Sequence, residues 1–367
     1  MDRQRRQNIP VVASWRGVLA MCIFMFHFGF KQWFCQLTWC GVVFFFVSSG
    51  FLVTVHHRGE KLTWRDCLPF WFRRAVRLYP AHWLAMLLFV LLAVRNGTFV
   101  AKLWPLTVNL LLLQTFVPVQ ECFFSYNVLS WFLSALLLCY AAYPLLARFW
   151  SQARLGTLWC VVAVVLCANV GAIHFAVAEE MKNYLYVCPL ARLGEFALGM
   201  TLGETWARTG VRVTRCGARW LEMGAWGSLV VFIVIHRCFS SALEWYDATV
   251  LWWIPAGALM WTMAACNGVE GPVGRLLLTK PLRFLGKISF ELYLYQAIAP
   301  MALSVTLLPL LYHFTGITLG HHNAWFVTIS VLCQIALSWG LHKWAVTSYW
   351  RWCSQRVSRR GTVVQKV

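Results

Sequence analysis

Ten apolar runs recur along this chain, at about 12–30, 39–55, 80–94, 127–147, 155–177, 185–206, 220–238, 247–266, 288–310 and 323–347. Their length and number constrain the fold more than any motif. In hydrocarbon every backbone N–H and C=O must be satisfied within its own segment, and helices do this. Hydrophobic residues make up 60% of the sequence and charged residues 12%, so the expected fold class is an all-α integral membrane protein with about ten transmembrane helices. A further apolar interval, 103–119, holds Pro105, Asn109, Gln114 and Pro118. Counted as a span it would put the basic tail outside, so it reads as a re-entrant or half-helix segment.

The net charge of +19 raises the question of nucleic acid, and the positions of the 32 Lys and Arg answer it. Twenty-four lie in flanks on the N-terminal side of the membrane, five (Lys31, Arg95, Lys102, Lys182, Arg237) in the opposite loops, and three (Arg16, Arg192, Lys343) inside runs. The positive-inside rule then makes both termini cytoplasmic. The basic excess is a topology signal, and no nucleic-acid partner is expected. With no internal repeat and no loop long enough for a second domain, residues 1–347 read as one membrane domain. Residues 348–367, with Arg351, Arg356, Arg359, Arg360 and Lys366, read as a basic cytoplasmic tail on anionic lipid. The N-terminus lacks a small-residue cleavage site and reads as an uncleaved first span. The 14 Cys show no CxxC or metal-ligand spacing, so no metal is expected, and only Cys35 and Cys40 sit where an external disulfide can form.

Trp15 to Phe30, WRGVLAMCIFMFHFGF, carries two groups foreign to hydrocarbon, Arg16 and His27. Eleven residues are about three helical turns, so the two share one face roughly 16 Å apart along the axis. An ionised Arg at the centre of an isolated span costs on the order of 2.5–3.5 kcal/mol and must face protein, water or a ligand. Together they indicate a polar interior that both line. The structural alternative is an Arg snorkelling to the cytoplasmic end and a hydrogen-bonded His.

In the second run, GVVFFFVSSGFLVTV, the small residues Ser48, Ser49 and Gly50 admit another helix closely. The following loop alternates aromatic and basic residues from Leu68 to Tyr79, which predicts an interfacial helix with Phe70, Trp71 and Phe72 against lipid and Arg73, Arg74 and Arg77 toward water. Arg74 and Arg77, at i and i+3, make a fork suited to phosphate oxygens, whether of a ligand or of lipid headgroups. Pro80 is expected to open the next helix. In the sixth run Arg192 and Glu195 share a face, an arrangement more often structural than catalytic. Glu291 and Lys343 lie at similar depth and are candidates to pair.

Five segments, in order, resemble the acyltransferase-3 family of integral membrane O-acyltransferases. SWRGVLAMCIFMFHF resembles its first span, an Arg and a His with ten residues between; GVVFFFVSSGFLV is similar to its GVDLFFVLSGFLI-like second span; FWFRRAVRLYPAHWLA resembles its RRxxRIYP loop. PLARLGEFALGMTLGE resembles its R-x-x-E-F-x-x-G-M segment, and LRFLGKISFELYLYQ, which holds Tyr293, resembles LRFLGxISYSLYLWH. Two departures stand out. Where many members have WSLSVEEQFY this chain has WFLSALLLCY, Trp131 to Tyr140, so no catalytic carboxylate carries over. Where many have His after SYSLYLW it has Gln296, so no second His carries over.

The resemblance implies a stand-alone acyltransferase, without the fused hydrolase-like domain of some members. It would move an acyl group, most often acetyl, from cytoplasmic acyl-CoA to a hydroxyl of a cell-envelope or secreted glycan at a bacterial inner membrane. Acceptors in the family include lipopolysaccharide, exopolysaccharide and peptidoglycan; the stand-alone form suits a small or lipid-linked sugar, with transfer completed by this chain or by a separate extracytoplasmic protein. On this reading Arg74 and Arg77, with Arg73, hold the phosphates of acetyl-CoA. Arg16 contacts the CoA or steadies the thioester oxyanion, and His27 is a general base or carries the acyl group transiently. Ser49, Gly50, Arg192, Glu195 and Tyr293 are structural or substrate-path positions. The rival class is a transporter or flippase for an anionic lipid or sugar, with Arg16, His27 and Arg192 as its path.

Overall fold

The computed structural model describes residues 9–28, 30–58, 64–176, 178–211, 213–243, 246, 250–315 and 323–344; the tail at 348–367 lies outside them. The described residues form helices and no strand. In order these are α1 (Pro10–His27), α2 (Lys31–His56), α3 (Trp64–Arg95), α4 (Leu103–Leu110), α5 (Gln120–Phe123), α6 (Trp131–Gln152), α7 (Leu155–Phe175), α8 (Glu179–Val187), α9 (Pro189–Thr209), α10 (Arg215–Cys238), α11 (Ser240–Leu243), α12 (Trp253–Ala265), α13 (Pro272–Leu277), α14 (Lys280–Lys287), α15 (Ser289–Leu294), α16 (Ile298–Thr315) and α17 (Ala324–Trp344).

Seven helices are long and apolar enough to cross a membrane, or eight if α8 and α9, bent by 41° across Cys188, count as one span. The protein is an integral membrane protein of this helical class. Two of the ten apolar runs account for the difference. The 13 residues of α12 reach about 20 Å, short of the roughly 30 Å hydrocarbon core, and the ninth run is broken by a turn at Tyr295–Ala297 between α15 and α16.

Pro80 does not open a helix. It lies inside the 32-residue α3, which runs on from the aromatic and basic stretch without a break. An internal proline forfeits one backbone hydrogen bond and keeps a helical φ, whereas ending one helix and starting another orphans several N–H and C=O groups. At about 48 Å, α3 outreaches the hydrocarbon core, so its first turns project past it rather than forming a separate interfacial helix. Phe70 accordingly faces inward, stacked 5.3 Å from Tyr143 and edge-on to His57 at 5.4 Å, while Phe72 is exposed.

The 103–119 interval is a half-helix, α4, followed by irregular turns, with its polarity inverted. Leu103 and Trp104 are exposed while Asn109, Gln114 and Thr115 are buried. The Asn109 amide donates to the Pro105 and Cys122 carbonyls, and Tyr79 and Trp83 of α3 donate to the carbonyls of Leu111 and Leu110. Cys35 and Cys40 are not joined to each other. Five residues apart on α2, they point about 140° apart around the helix and cannot meet. Glu291 bonds His342 at 3.1 Å rather than Lys343.

At the centre stands α2, with 89% of its apolar window buried against 17% for α7 and 22% for α10. It packs on α9 with backbone against backbone: a Cβ on Gly50 would strike the Phe196 carbonyl oxygen, and one on Gly199 the Val47 carbonyl oxygen. The small residues of the second run therefore serve this crossing. A second one joins α1 to α14, where a Cβ on Gly17 would lie 2.5 Å from Leu285 C and one on Gly286 2.6 Å from Ala13 C. Gly199→Ala is expected to lower stability by about 1–3 kcal/mol, because the backbone it strikes cannot yield as a side chain can. Gly227→Ala on α10, where nothing lies within 4 Å of the added methyl, is the matched control and should be neutral or slightly stabilising. Thermal unfolding of the two detergent-solubilised variants makes the comparison.

Candidate active site

Helical period places the arginines of α3. Cys67, Phe70, Arg74 and Leu78 fall on one stripe, and this stripe faces inward, with Cys67, Phe70 and Leu78 buried and Arg74 half-buried, while Arg73 and Arg77 are exposed. The Arg74 guanidinium lies over the rings of Tyr140 (4.9 Å) and Phe70 (5.2 Å). Cation–π contact of this kind positions a guanidinium and leaves its N–H donors for another partner.

On α1, Arg16 is half-buried, its guanidinium 5.5 Å from the Phe45 ring and its Nε buried with no hydrogen-bond partner. Tyr140 and Arg77 lie within electrostatic reach of it, and of Arg74 as well. Arg16 and Arg74, from two helices, thus share Tyr140 and Arg77 as neighbours, and none of the three arginines forms an ion pair with a carboxylate among the described residues. An uncompensated cationic cluster over low-dielectric walls concentrates anions. Tyr140, the end of the segment WFLSALLLCY, was not among the residues expected from sequence; its match to the last residue of WSLSVEEQFY was the available signal.

His27 closes α1 at its other end. It is exposed, beside the rings of Phe26 (5.0 Å) and Phe28 (6.4 Å), and makes no hydrogen bond among the described residues. Arg16 and His27 share a helix, as expected, but only Arg16 reaches into the bundle.

Between the two ends runs a layer of aromatic rings. Phe45 touches Phe132 and Tyr293, each at 5.9 Å, and Phe132 touches Phe46 at 4.6 Å. The Tyr293 hydroxyl donates to the Leu129 carbonyl at 3.2 Å. Arg192, fully buried, lies over Phe46, Trp131 and Tyr186, gives Nε–H to the Tyr186 carbonyl at 2.7 Å and pairs with Glu195. Tyr186 in turn meets Trp39 at 5.1 Å, and Trp39 meets Phe26 at 6.1 Å, next to His27. Ser49 is buried on α2 beside the α9 crossing. The structure therefore brings Arg16, Arg74 and Arg77 together, sets Tyr293 one ring beyond them, and keeps the Arg192–Glu195 pair and His27 apart from that cluster. No group of three or more His, Cys, Asp or Glu able to hold a metal occurs among the described residues.

A family model described as an acyltransferase domain matches residues 12–352. The chain is also similar to an acyltransferase, MdmB, of Streptomyces mycarofaciens: 25% identical over 315 residues, which cover 78% of each chain. No solved structure matches. With nearly its whole length inside the family domain, and with helices that suit a bilayer, the chain belongs to the acyltransferase-3 family and is a membrane acyltransferase.

Proposed function

We propose that the protein transfers an acyl group, acetyl in the first instance, from cytoplasmic acyl-CoA to a hydroxyl of a cell-envelope or secreted glycan at a bacterial inner membrane. The observation that carries this reading is the cluster of Arg16, Arg74 and Arg77 about Tyr140, with no acidic partner among the described residues, at one end of a bundle whose first helix ends in an exposed His27. Guanidinium forks of this kind fit the phosphates of CoA. Arg73, exposed beside Arg74, adds to the same field.

With the nucleotide held there, the pantetheine arm extends along the aromatic layer toward His27. In the transfer step the acceptor hydroxyl gives its proton to the neutral His27 imidazole as its oxygen attacks the thioester carbonyl. The tetrahedral intermediate expels the CoA thiolate, the C–S bond breaks as the C–O ester bond remains, and the thiolate takes up the proton that His27 releases. Ser49, Gly50, Arg192, Glu195 and Tyr293 hold the helices that frame the path. The acceptor is a small or lipid-linked sugar.

Purified protein in nanodiscs with labelled acetyl-CoA and a glycan acceptor tests the donor half. Arg74→Ala with Arg77→Ala is expected to raise KM for acetyl-CoA about tenfold or more, at the scale of 1.5–3 kcal/mol for a hydrogen bond to a charged group, with kcat far less affected. The same pair of changes should leave KM unaltered for S-acetyl-pantetheine, which lacks the nucleotide phosphates. Indifference of the wild-type protein to acetyl-CoA would instead favour a transporter.

A further inference from the structure

The turn that breaks the ninth apolar run places Gln296 fully inside the protein, and neither its Nε2 nor its Oε1 has a hydrogen-bond partner. A buried amide left wholly unpaired is costly, and native proteins keep few of them. Gln296 does not stand alone. On the inward stripe of α17, Ser330 and Gln334 are fully buried as well, and Ser330 Oγ and Gln334 Oε1 have no partner.

These groups share one seam. As the chain advances from Glu291 to Leu292, its partners on α17 step back from His342 to Gln334, whose Nε2 faces the Leu292 carbonyl at 3.5 Å. The two elements therefore pack on each other at Leu292 and Gln334, with Gln296 four residues beyond the first, in the turn that follows α15, and Ser330 one helical turn before the second on α17. The seam adjoins the arginine cluster. Tyr293, three residues before Gln296, touches Phe45, the ring beneath the Arg16 guanidinium. Irregular backbone at membrane depth is tolerated where it is buried in protein or lines a path.

We propose that this seam, between the α15–α16 break and α17, binds the pantetheine arm of the acyl donor, with Gln296 bonding the β-alanine unit in both directions. That unit carries an N–H and a C=O two methylene groups apart, which can turn to the same side. The Gln296 Oε1 accepts the N–H and its Nε2 donates to the C=O, while Ser330 and the Gln334 Oε1 serve the pantoyl hydroxyl. A phosphate would call for a cation that the seam lacks among these groups, and a carboxylate would leave Oε1 unanswered. The proposal deepens the donor reading above and rests on it.

The test compares coenzyme A with 3′-phospho-ADP, its nucleotide half without pantetheine, on the full chain in nanodiscs. Wild-type protein is expected to bind coenzyme A the more tightly. Gln296→Leu should weaken coenzyme A about tenfold, the loss of one to two neutral hydrogen bonds, and leave 3′-phospho-ADP unchanged. The same variant, without ligand, should melt a few degrees higher, because an unpaired amide has been replaced by hydrocarbon. Gln296→Met, close in shape, serves if leucine does not fold. An unchanged preference for coenzyme A in a folded variant overturns the proposal, as does a lowered melting temperature with both affinities intact, which is the mark of a purely structural glutamine. Failure of wild-type protein to bind either compound overturns the donor reading itself, and this inference with it.

Discussion

His27→Ala is expected to cut acyl transfer by about 10²–10⁴-fold, the range typical of a lost general base, while the protein folds and binds acetyl-CoA as before. The structure separates these two consequences. His27 is the last residue of α1, exposed, in contact with Phe26 and Phe28 and with no hydrogen bond among the described residues. A structural histidine in a membrane bundle would be buried and bonded at both ring nitrogens, and its removal would leave an orphaned partner. His82 of α3 comes nearer to that character, buried with Nε2 2.8 Å from the Asn109 carbonyl, though its Nδ1 has no partner. Truncating an exposed side chain changes stability by about 0.5 kcal/mol or less, so any large loss of rate reports chemistry. His27→Asn sharpens the test, since it keeps a polar side chain near the size of imidazole but has no proton affinity to offer. It should be as inactive as His27→Ala. Initial rates with labelled acetyl-CoA, read beside melting temperature and coenzyme A affinity, decide it, and a near wild-type rate in either folded variant removes His27 from the chemistry.

The features readable from sequence were those that act along one segment. Apolar runs became helices, the apolar interval at 103–119 became a half-helix followed by turns, and Arg16 and His27 came to lie on one helix. What sequence left open depends on which faces meet. Residues 68–79 suggested lipid on one side and water on the other, yet the stripe Cys67, Phe70, Arg74, Leu78 turns inward because Tyr140 and Tyr143 of α6 wait opposite. The Gly17–Gly286 contact joins residues far apart in sequence that no periodicity connects. Gln296 looked like the loss of a histidine. In the fold it is a buried amide with both ends unpaired, which only the packing of α15 on α17 could reveal.

The second large effect concerns Arg192 and Glu195. Arg192→Ala is expected to destabilise the protein by about 3–5 kcal/mol, because it strands a buried carboxylate without its cation. Glu195→Ala should do comparable damage from the other side, leaving a buried guanidinium that retains the Tyr186 carbonyl and three aromatic rings but loses the Glu195 carboxylate. Removing both charges together is a different case. Arg192→Met with Glu195→Leu takes away the pair and its desolvation cost, so the double variant should recover most of the stability, with a coupling of opposite sign to the single losses. Transfer by the double variant then tells what the pair is for. Arg192 is enclosed by Phe46, Trp131 and Tyr186 and bonded to Glu195 and the Tyr186 backbone, while the free arginines gather on α1 and α3 about Tyr140. A side chain so enclosed has little to offer a substrate, and the double variant is expected to keep its rate within a few-fold of wild type. A well-folded double variant without transfer would place Arg192 on the substrate path, and the aromatic rings around it would then be the walls of that path rather than the packing of a strut.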